Sequence, residues 1–212
     1  MKEYTASQVW AAAAAAHRVN GSYIKESVWD YNSSEPVMVK QSNKRLVPEW
    51  LKTDSDVITA ADVIEGEKIR DHFRGYMLLA MKGELNDFQK QAFRLAQLET
   101  LKSTDRLELA IISCLPSVYH RDNDRKDIAA KVRESAPLTY AVGSKITGEI
   151  TVISNSYSRQ FNKYKIQATL DDTVVDFWFT ENPTVGSTLR ISGKIKENRG
   201  NKTTQLNYVK II

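Results

Sequence analysis

The chain has 212 residues, with 30 Lys and Arg against 26 Asp and Glu, and a net charge of +4. Its single cysteine excludes an internal disulfide, and no apolar stretch is long enough to span a membrane. The first residues lack the basic-then-apolar pattern of a secretion signal, so we expect a cytoplasmic protein.

The first two thirds of the chain carry mainly helical patterns. Thr59 followed by Asp62 predicts a capping box at one helix start, and six consecutive alanines at 11–16 predict a helix that packs closely against a neighbour. A small strand pair is predicted at 23–29 and 36–40, joined by a turn at Asn32-Ser33-Ser34. The predicted helices run over 5–17, 59–82, 87–101 and from 104 to a stop before Pro116.

A highly charged segment follows, from His120 to Glu134, and is predicted to form an exposed helix or a linker. Ser135-Ala136-Pro137 then marks a domain boundary, because Pro disfavours helix in the residue before it. We therefore expect a mainly helical domain with a small strand pair at 1–137 and a second domain at 138–212.

The second domain contains five short segments in which apolar residues alternate with polar ones, the period of a strand with one buried face. In the fifth segment Leu206, Val209 and Ile211 cannot share a face without a β-bulge. Short turns between segments and the absence of a crossover helix predict an α+β protein ending in a five-stranded antiparallel barrel. The predicted strands are 146–153, 163–170, 174–180, 188–196 and 203–211.

The last two strands carry a recognisable pattern: a Gly193-Lys-Ile-Lys196 strand, a polar loop, then Thr204-Gln-Leu206 and Val209-Lys210. This run resembles the closing hairpin of OB-fold modules in bacteriophage replication and single-stranded DNA-binding proteins, over the C-terminal third of the chain. The resemblance implies an OB-like barrel with ligand-binding loops at 154–162 and 197–202. It also implies that the protein acts in the host cytoplasm. One departure is that such proteins often end in an acidic tail, whereas this sequence ends Lys210-Ile211-Ile212.

The excess of positive charge lies in this second domain. Residues 138–212 contain ten Lys and Arg against six Asp and Glu, whereas residues 1–137 contain twenty of each. Cations that neutralise phosphates and rings that stack on bases are what a single strand requires. The candidate nucleic-acid-binding residues are Lys163, Lys165, Trp178, Arg190, Lys194 and Lys196 on the outward face, with Tyr157, Arg159, Phe161, Arg199 and Lys202 in the loops.

Other interpretations of these residues stay open. The lysines also keep a small sheet soluble and its edges unpaired, and Trp178 could form a contact between barrel and helical domain. Basic clusters at 17–25 and 40–45 could extend the binding surface, or they could be a solvated hairpin and a helix start.

The sequence gives little support to an enzymatic function. His17, His72 and His120 lie far apart in sequence without the spacing of metal ligands. We recognise no phosphate-binding loop and no pair of nucleophile and base. We expect no cofactor, no metal and no catalysis.

The function expected from the resemblance is single-stranded DNA binding in phage replication, recombination or transcription. RNA as the ligand, a protein partner in that complex and self-association remain compatible with the sequence. The alternatives are a protein-binding scaffold, or a DNA-binding cofactor that recruits a phage RNA polymerase.

Overall fold

The computed structural model describes residues 2–32, 35–199 and 202–212. The chain forms two compact units, residues 1–122 and 123–212. The architecture is α+β, with helices and two short strand pairs followed by a closed five-stranded barrel. Up to the barrel, the elements are β1 (Glu3–Thr5), α1 (Ala6–Asn20), β2 (Val28–Asp30), β3 (Val37–Lys40), α2 (Asn43–Thr53), α3 (Ala60–Arg74), α4 (Met77–Met81), α5 (Asp87–Gln97), β4 (Thr100–Lys102) and α6 (Arg106–Glu134).

Helix α1 is the centre of the first unit. Thr5 caps it with a capping box to Gln8, and Gly21 ends it at a φ of 71°, a left-handed conformation that glycine adopts without strain. The alanines at 11–16 are all buried. A Cβ added at Gly66 on α3 would lie 2.7 Å from Ala11 N, so the two backbones touch, and the predicted close packing is confirmed.

Several predicted helix boundaries are wrong. The predicted helix at 59–82 is two helices: α3 ends at Arg74, and the Tyr76 N–H bonds to the Phe73 carbonyl, three residues back, before α4 begins at Met77. The predicted stop before Pro116 does not occur: α6 continues through it, and Pro116 packs in the interior with buried Ile112 and Leu115 nearby on the helix. Burial of that face outweighs the one backbone hydrogen bond that proline removes.

The short strands were only partly predicted. β2 and β3 pair as expected over a shorter range, and residues 33 and 34 of their predicted turn lie outside the described residues. Of α2, only a helix start near 40–45 was considered, and the pairing of β1 with β4, in which Tyr4 lies opposite Leu101, was not predicted. β4 replaces the end of the helix predicted to reach Leu101, because α5 stops at Gln97.

The barrel contains β5 (Lys145–Ser158), β6 (Lys163–Leu170), β7 (Thr173–Phe179), β8 (Thr188–Arg199) and β9 (Thr203–Ile211). Its strand order is β5-β6-β7-β9-β8, closed by pairing of β8 with β5. The prediction of a purely antiparallel barrel is wrong, because β7 and β9 pair in parallel. β9 follows β8 antiparallel, so closing it against β7 gives that pair a common direction.

The inside of the barrel follows the predicted alternation. Ile150, Ile166, Val175, Ile191 and Leu206 are among its buried side chains. The predicted bulge in the last strand is also present: Ser192 pairs with Lys210 and Lys194 with Asn207, so β9 carries one extra residue between these pairs. In the described part of the chain, the helices are too short or too polar to cross a membrane.

Candidate nucleic-acid interface

One groove on the barrel brings together three of the predicted site residues, Phe161, Lys163 and Trp178, with Asn207 and Tyr208 of β9. Its volume is about 560 Å³, a size that suits a small ligand group. Residues from the β5–β6 connection, from β6, from the end of β7 and from β9 therefore meet at one place on the surface.

Phe161 and Trp178 form the aromatic wall of this groove. Their ring centroids are 5.0 Å apart, at an interplanar angle of 57°. Phe161 is 54% exposed, whereas Trp178 is half-buried. Lys165 lies opposite Trp178 on β6. Trp178 thus has a ring partner within the barrel, and its indole contributes to the groove wall.

The loop that carries Phe161 is held by Asn162 and by tyrosines of the two strands that it joins. Asn162 adopts a φ of 48°, the left-handed conformation that asparagine tolerates better than most residues. The Tyr157 hydroxyl donates to its Oδ1 at 2.5 Å, and the Tyr157 ring lies 5.2 Å from that of Tyr164. These contacts give Phe161 a defined position, although Tyr157 itself does not line the groove.

Tyr208 is a groove residue that the sequence-based site omitted. It occupies the bulge of β9 at a φ of 54° and is 80% exposed. A non-glycine residue in this conformation is held there by its surroundings, and such positions concentrate at functional sites. The spacing of Leu206 and Val209 was the available signal, since a bulge between two inward residues turns the ring outward.

The predicted cations fall into two groups. Lys163 lines the groove, Lys165 pairs with Trp178 across the strands, and Lys194 pairs with the groove residue Asn207. Arg190 lies away from these contacts, because its neighbour in the strand register is Glu149 on β5. Arg159 and Lys196 are exposed, in the β5–β6 connection and on β8.

Two of the predicted loop cations already have partners within the barrel unit. Arg199 bonds to Glu197 at 2.5 Å and to Gln205 at 2.7 Å, and it lies 3.4 Å from Asp176. Lys202 donates to the main-chain carbonyl of Arg133 at 2.8 Å. These contacts reduce the capacity of both side chains to bind phosphate. Residues 200 and 201 of the same predicted loop lie outside the described residues.

Asp176 introduces a negative charge beside these cations. By register it lies on the outward side of β7, opposite Gln167 and Gln205, yet it is only 4% exposed. Burial raises the pKa of this carboxyl, and the positive charges of Arg199 and Lys165 offset part of that rise. Val174, two residues before Asp176 on β7, is also buried. Its N–H donates to Oγ of Ser135, in the segment that precedes the barrel.

The three histidines occupy the first unit. His17 and His120 stack with centroids 4.9 Å apart, so two residues distant in sequence are neighbours in space. His72 packs against Phe73 and Tyr119 and lies 3.5 Å from Asp122. Within the described ranges, no three His, Cys, Asp or Glu side chains are grouped so that they could hold a metal ion.

Comparisons with protein-family models, with curated proteins and with solved structures find no match for this chain.

Proposed function

We propose that the barrel is an OB-fold and that this protein binds single-stranded DNA without catalysing a reaction on it. The strand order supports the fold: numbered from the first barrel strand, it is 1-2-3-5-4, closed from strand 4 to strand 1. An OB-fold binds oligonucleotides over strands 2 and 3 and the loops beside them. Here those strands are β6 and β7, which carry Lys163, Lys165 and Trp178.

The observation that carries the proposal is the convergence of Phe161, Trp178 and Tyr208 on one groove edged by Lys163. Two of these rings are more than half exposed, which is unfavourable in water and useful only if something stacks on them. Every base presents a flat apolar face, and a lysine beside it can neutralise the adjoining phosphate. Rings and lysines of this kind act without regard to base identity, so sequence preference should be weak.

The role of this binding would lie in phage replication, recombination or transcription, in the host cytoplasm. Equilibrium binding to exposed single strands requires no cofactor and no metal. The first unit would then serve contacts with other proteins or with further copies of the chain.

A competition titration tests the proposal. A fluorescein-labelled oligo(dT) of about 12 nucleotides, within the site sizes known for OB-folds, is bound to the full chain at two salt concentrations. Unlabelled single-stranded DNA, RNA of the same sequence and duplex DNA then compete. We expect single-stranded DNA to compete best, and affinity to fall with salt with a slope of about −0.7 per phosphate contacted.

The other functions give different results. No binding of oligo(dT) at low salt would reject the proposal and favour a protein-binding scaffold. Stronger competition by RNA would indicate that RNA is the ligand, because the 2′-hydroxyl is the group that distinguishes RNA from DNA. Equal competition by duplex DNA would contradict binding by base stacking, since paired bases present no free faces.

A further inference from the structure

A second groove lies wholly within the first unit and has a different composition. Its volume is about 810 Å³, and Tyr4, Pro48, Leu109 and Ala110 supply an apolar lining. None of the described residues that line it is acidic. Around the apolar lining lie five basic side chains: Lys2, Lys44, Arg45, Lys52 and Arg106.

The groove is built from fixed elements. On α2, Lys44, Pro48 and Lys52 follow each other at intervals of four residues, which places them on one face of the helix. On α6, Arg106 and Ala110 have the same spacing. Lys2 joins the two sides: its Nζ donates to the carbonyls of Leu51 and Lys52 on α2 at 3.0 and 3.3 Å, and its own carbonyl accepts from the Ser103 N–H, shortly before α6, at 2.9 Å.

Only part of this positive charge is neutralised within the protein. Lys44 forms an ion pair with Glu26 at 2.7 Å, and Lys2 lies 3.7 Å from Asp54. In the described part of the chain, Arg45, Lys52 and Arg106 form no ion pair, and all three side chains are exposed. The pKa of Glu26 is lowered mainly by its hydrogen bond with Lys44 and to a smaller extent by the positive charge of Arg45. Cations gathered around a low-dielectric floor repel one another and strengthen the field felt by an anion.

The floor of the groove favours a peptide over a nucleic acid. Among the described residues that line it, Tyr4 is the one aromatic; this residue is only 4% exposed, and Lys2 Nζ lies 5.4 Å from its ring centroid. A base would therefore find no open ring face to stack on, and stacking is the main apolar contact of single-strand binding. An aliphatic side chain, in contrast, can pack against Pro48 and Ala110, which are partly exposed, whereas Leu109 is itself buried.

We propose that this groove binds an acidic peptide segment of a partner protein, with Asp or Glu side chains on the basic rim and an aliphatic side chain on the floor. Arg45 and Arg106 bind the carboxylates, since a guanidinium can hold a carboxylate through two parallel hydrogen bonds. The residues of this groove belong to the first unit, and those of the proposed DNA-binding groove belong to the second.

The test uses the full chain and a fluorescein-labelled peptide that alternates aspartate and leucine, with fluorescence anisotropy as the measurement. The comparison probe has serine in place of leucine at equal charge. We expect the leucine peptide to bind at least about fivefold more tightly. The variant Arg45→Glu with Arg106→Glu should weaken binding by at least about tenfold.

A charge-matched control is Lys82→Glu with Lys131→Glu, two exposed lysines outside this groove, and it should bind the peptide like the parent. Circular dichroism checks that each variant is folded. Equal binding of the serine and leucine peptides would overturn the proposal, as would displacement of the peptide by oligo(dT) at equal concentration. Both of these arms use the unmodified protein, so they decide the question even if a variant fails to fold.

Discussion

Phe161 and Trp178 are in contact, with ring centroids 5.0 Å apart, although they come from a loop and from a strand 17 positions later in the chain. The contact places two aromatic faces on one wall of the barrel groove. Each ring also restrains the other, so the wall is formed before a ligand arrives. Preorganisation of this kind reduces the conformational entropy lost on binding.

The first prediction concerns these two rings. Phe161→Ala with Trp178→Ala should weaken oligo(dT) binding by at least about 30-fold, since each base–ring stack contributes about 1–3 kcal/mol. The barrel should stay folded, because neither side chain belongs to its buried interior. Labelled-oligonucleotide anisotropy measures the affinity. Trp29→Ala, at an exposed tryptophan of β2, is the matched control and should leave binding unchanged. Unchanged affinity in the double variant would refute the stacking role.

Tyr208 provides a test that separates binding from stability. Its φ of 54° is strained for tyrosine but not for glycine, so Tyr208→Gly should keep or raise the melting temperature. The same change removes the ring from the groove and should weaken oligo(dT) binding by roughly fivefold or more. Thermal melting and anisotropy are measured on the same sample. A lower melting temperature with unchanged affinity would mean that the ring has a packing role instead.

Asp176 should oppose DNA binding. Asp176→Asn removes a buried negative charge and weakens the contact that Asp176 makes with Arg199, so oligo(dT) affinity should rise about fivefold at low salt. Weaker DNA binding by the variant would contradict the prediction.

The same substitution tests the pH dependence of stability. Because burial raises the pKa of the Asp176 carboxyl, its ionised form destabilises the fold once the pH exceeds the ordinary carboxyl pKa. The asparagine variant should therefore be the more stable protein at pH 7 and lose that advantage near pH 3. Urea unfolding at both pH values measures this.

Asp62 should have the opposite pH behaviour. Burial alone would raise the pKa of its carboxyl, but hydrogen bonds from Arg18 and Thr59 outweigh that effect and lower the pKa to about 2. Its stabilising contribution is complete above the ordinary carboxyl pKa and is lost as the pH falls from about 4 towards 2. Asp62→Asn should lower stability by about 1–2 kcal/mol at pH 7 and flatten this acid-dependent loss. Urea unfolding between pH 2 and 7 measures both effects, and an unchanged pH profile would count against the ion pair.

Gly66 tests the packing of α1 on α3. Gly66→Ala places a methyl group 2.7 Å from the backbone of both Trp10 and Ala11, which cannot move without displacing the helix. We expect a loss of about 1–3 kcal/mol, the usual effect of overpacking, even though alanine favours helix more than glycine does. Urea unfolding followed by circular dichroism gives the value. A stabilised variant would show that the two helices separate easily.

Much of the architecture could be predicted from the chemistry of neighbouring residues in the sequence. Thr59 caps a helix as predicted, since a hydroxyl oxygen can accept the hydrogen bond of an unpaired backbone N–H, and Thr5 caps α1 in the same way. The barrel strands follow their two-residue period because one face of each must avoid water. Pro116 is the main exception, since its local effect on the helix was overridden by burial in tertiary packing.

The candidate site depended more on tertiary structure. Sequence identified Phe161, Lys163 and Trp178, but equally Arg199 and Lys202, whose partners Gln205 and the Arg133 carbonyl no local pattern could supply. Tyr208 was missed because its direction is decided by a bulge, and the bulge by the register of β8 against β9.

By itself, the sequence determined the five strands, the inward set of apolar residues and the concentration of positive charge in the last third of the chain. These follow from residue type and spacing, which act over a few neighbours. Three features were decided by closure of the barrel: the parallel pairing of β7 with β9, the meeting of three rings at one groove, and the contact of Arg199 with Asp176. Closure brings distant residues within hydrogen-bonding range, and contacts of that kind leave no periodic trace along the chain.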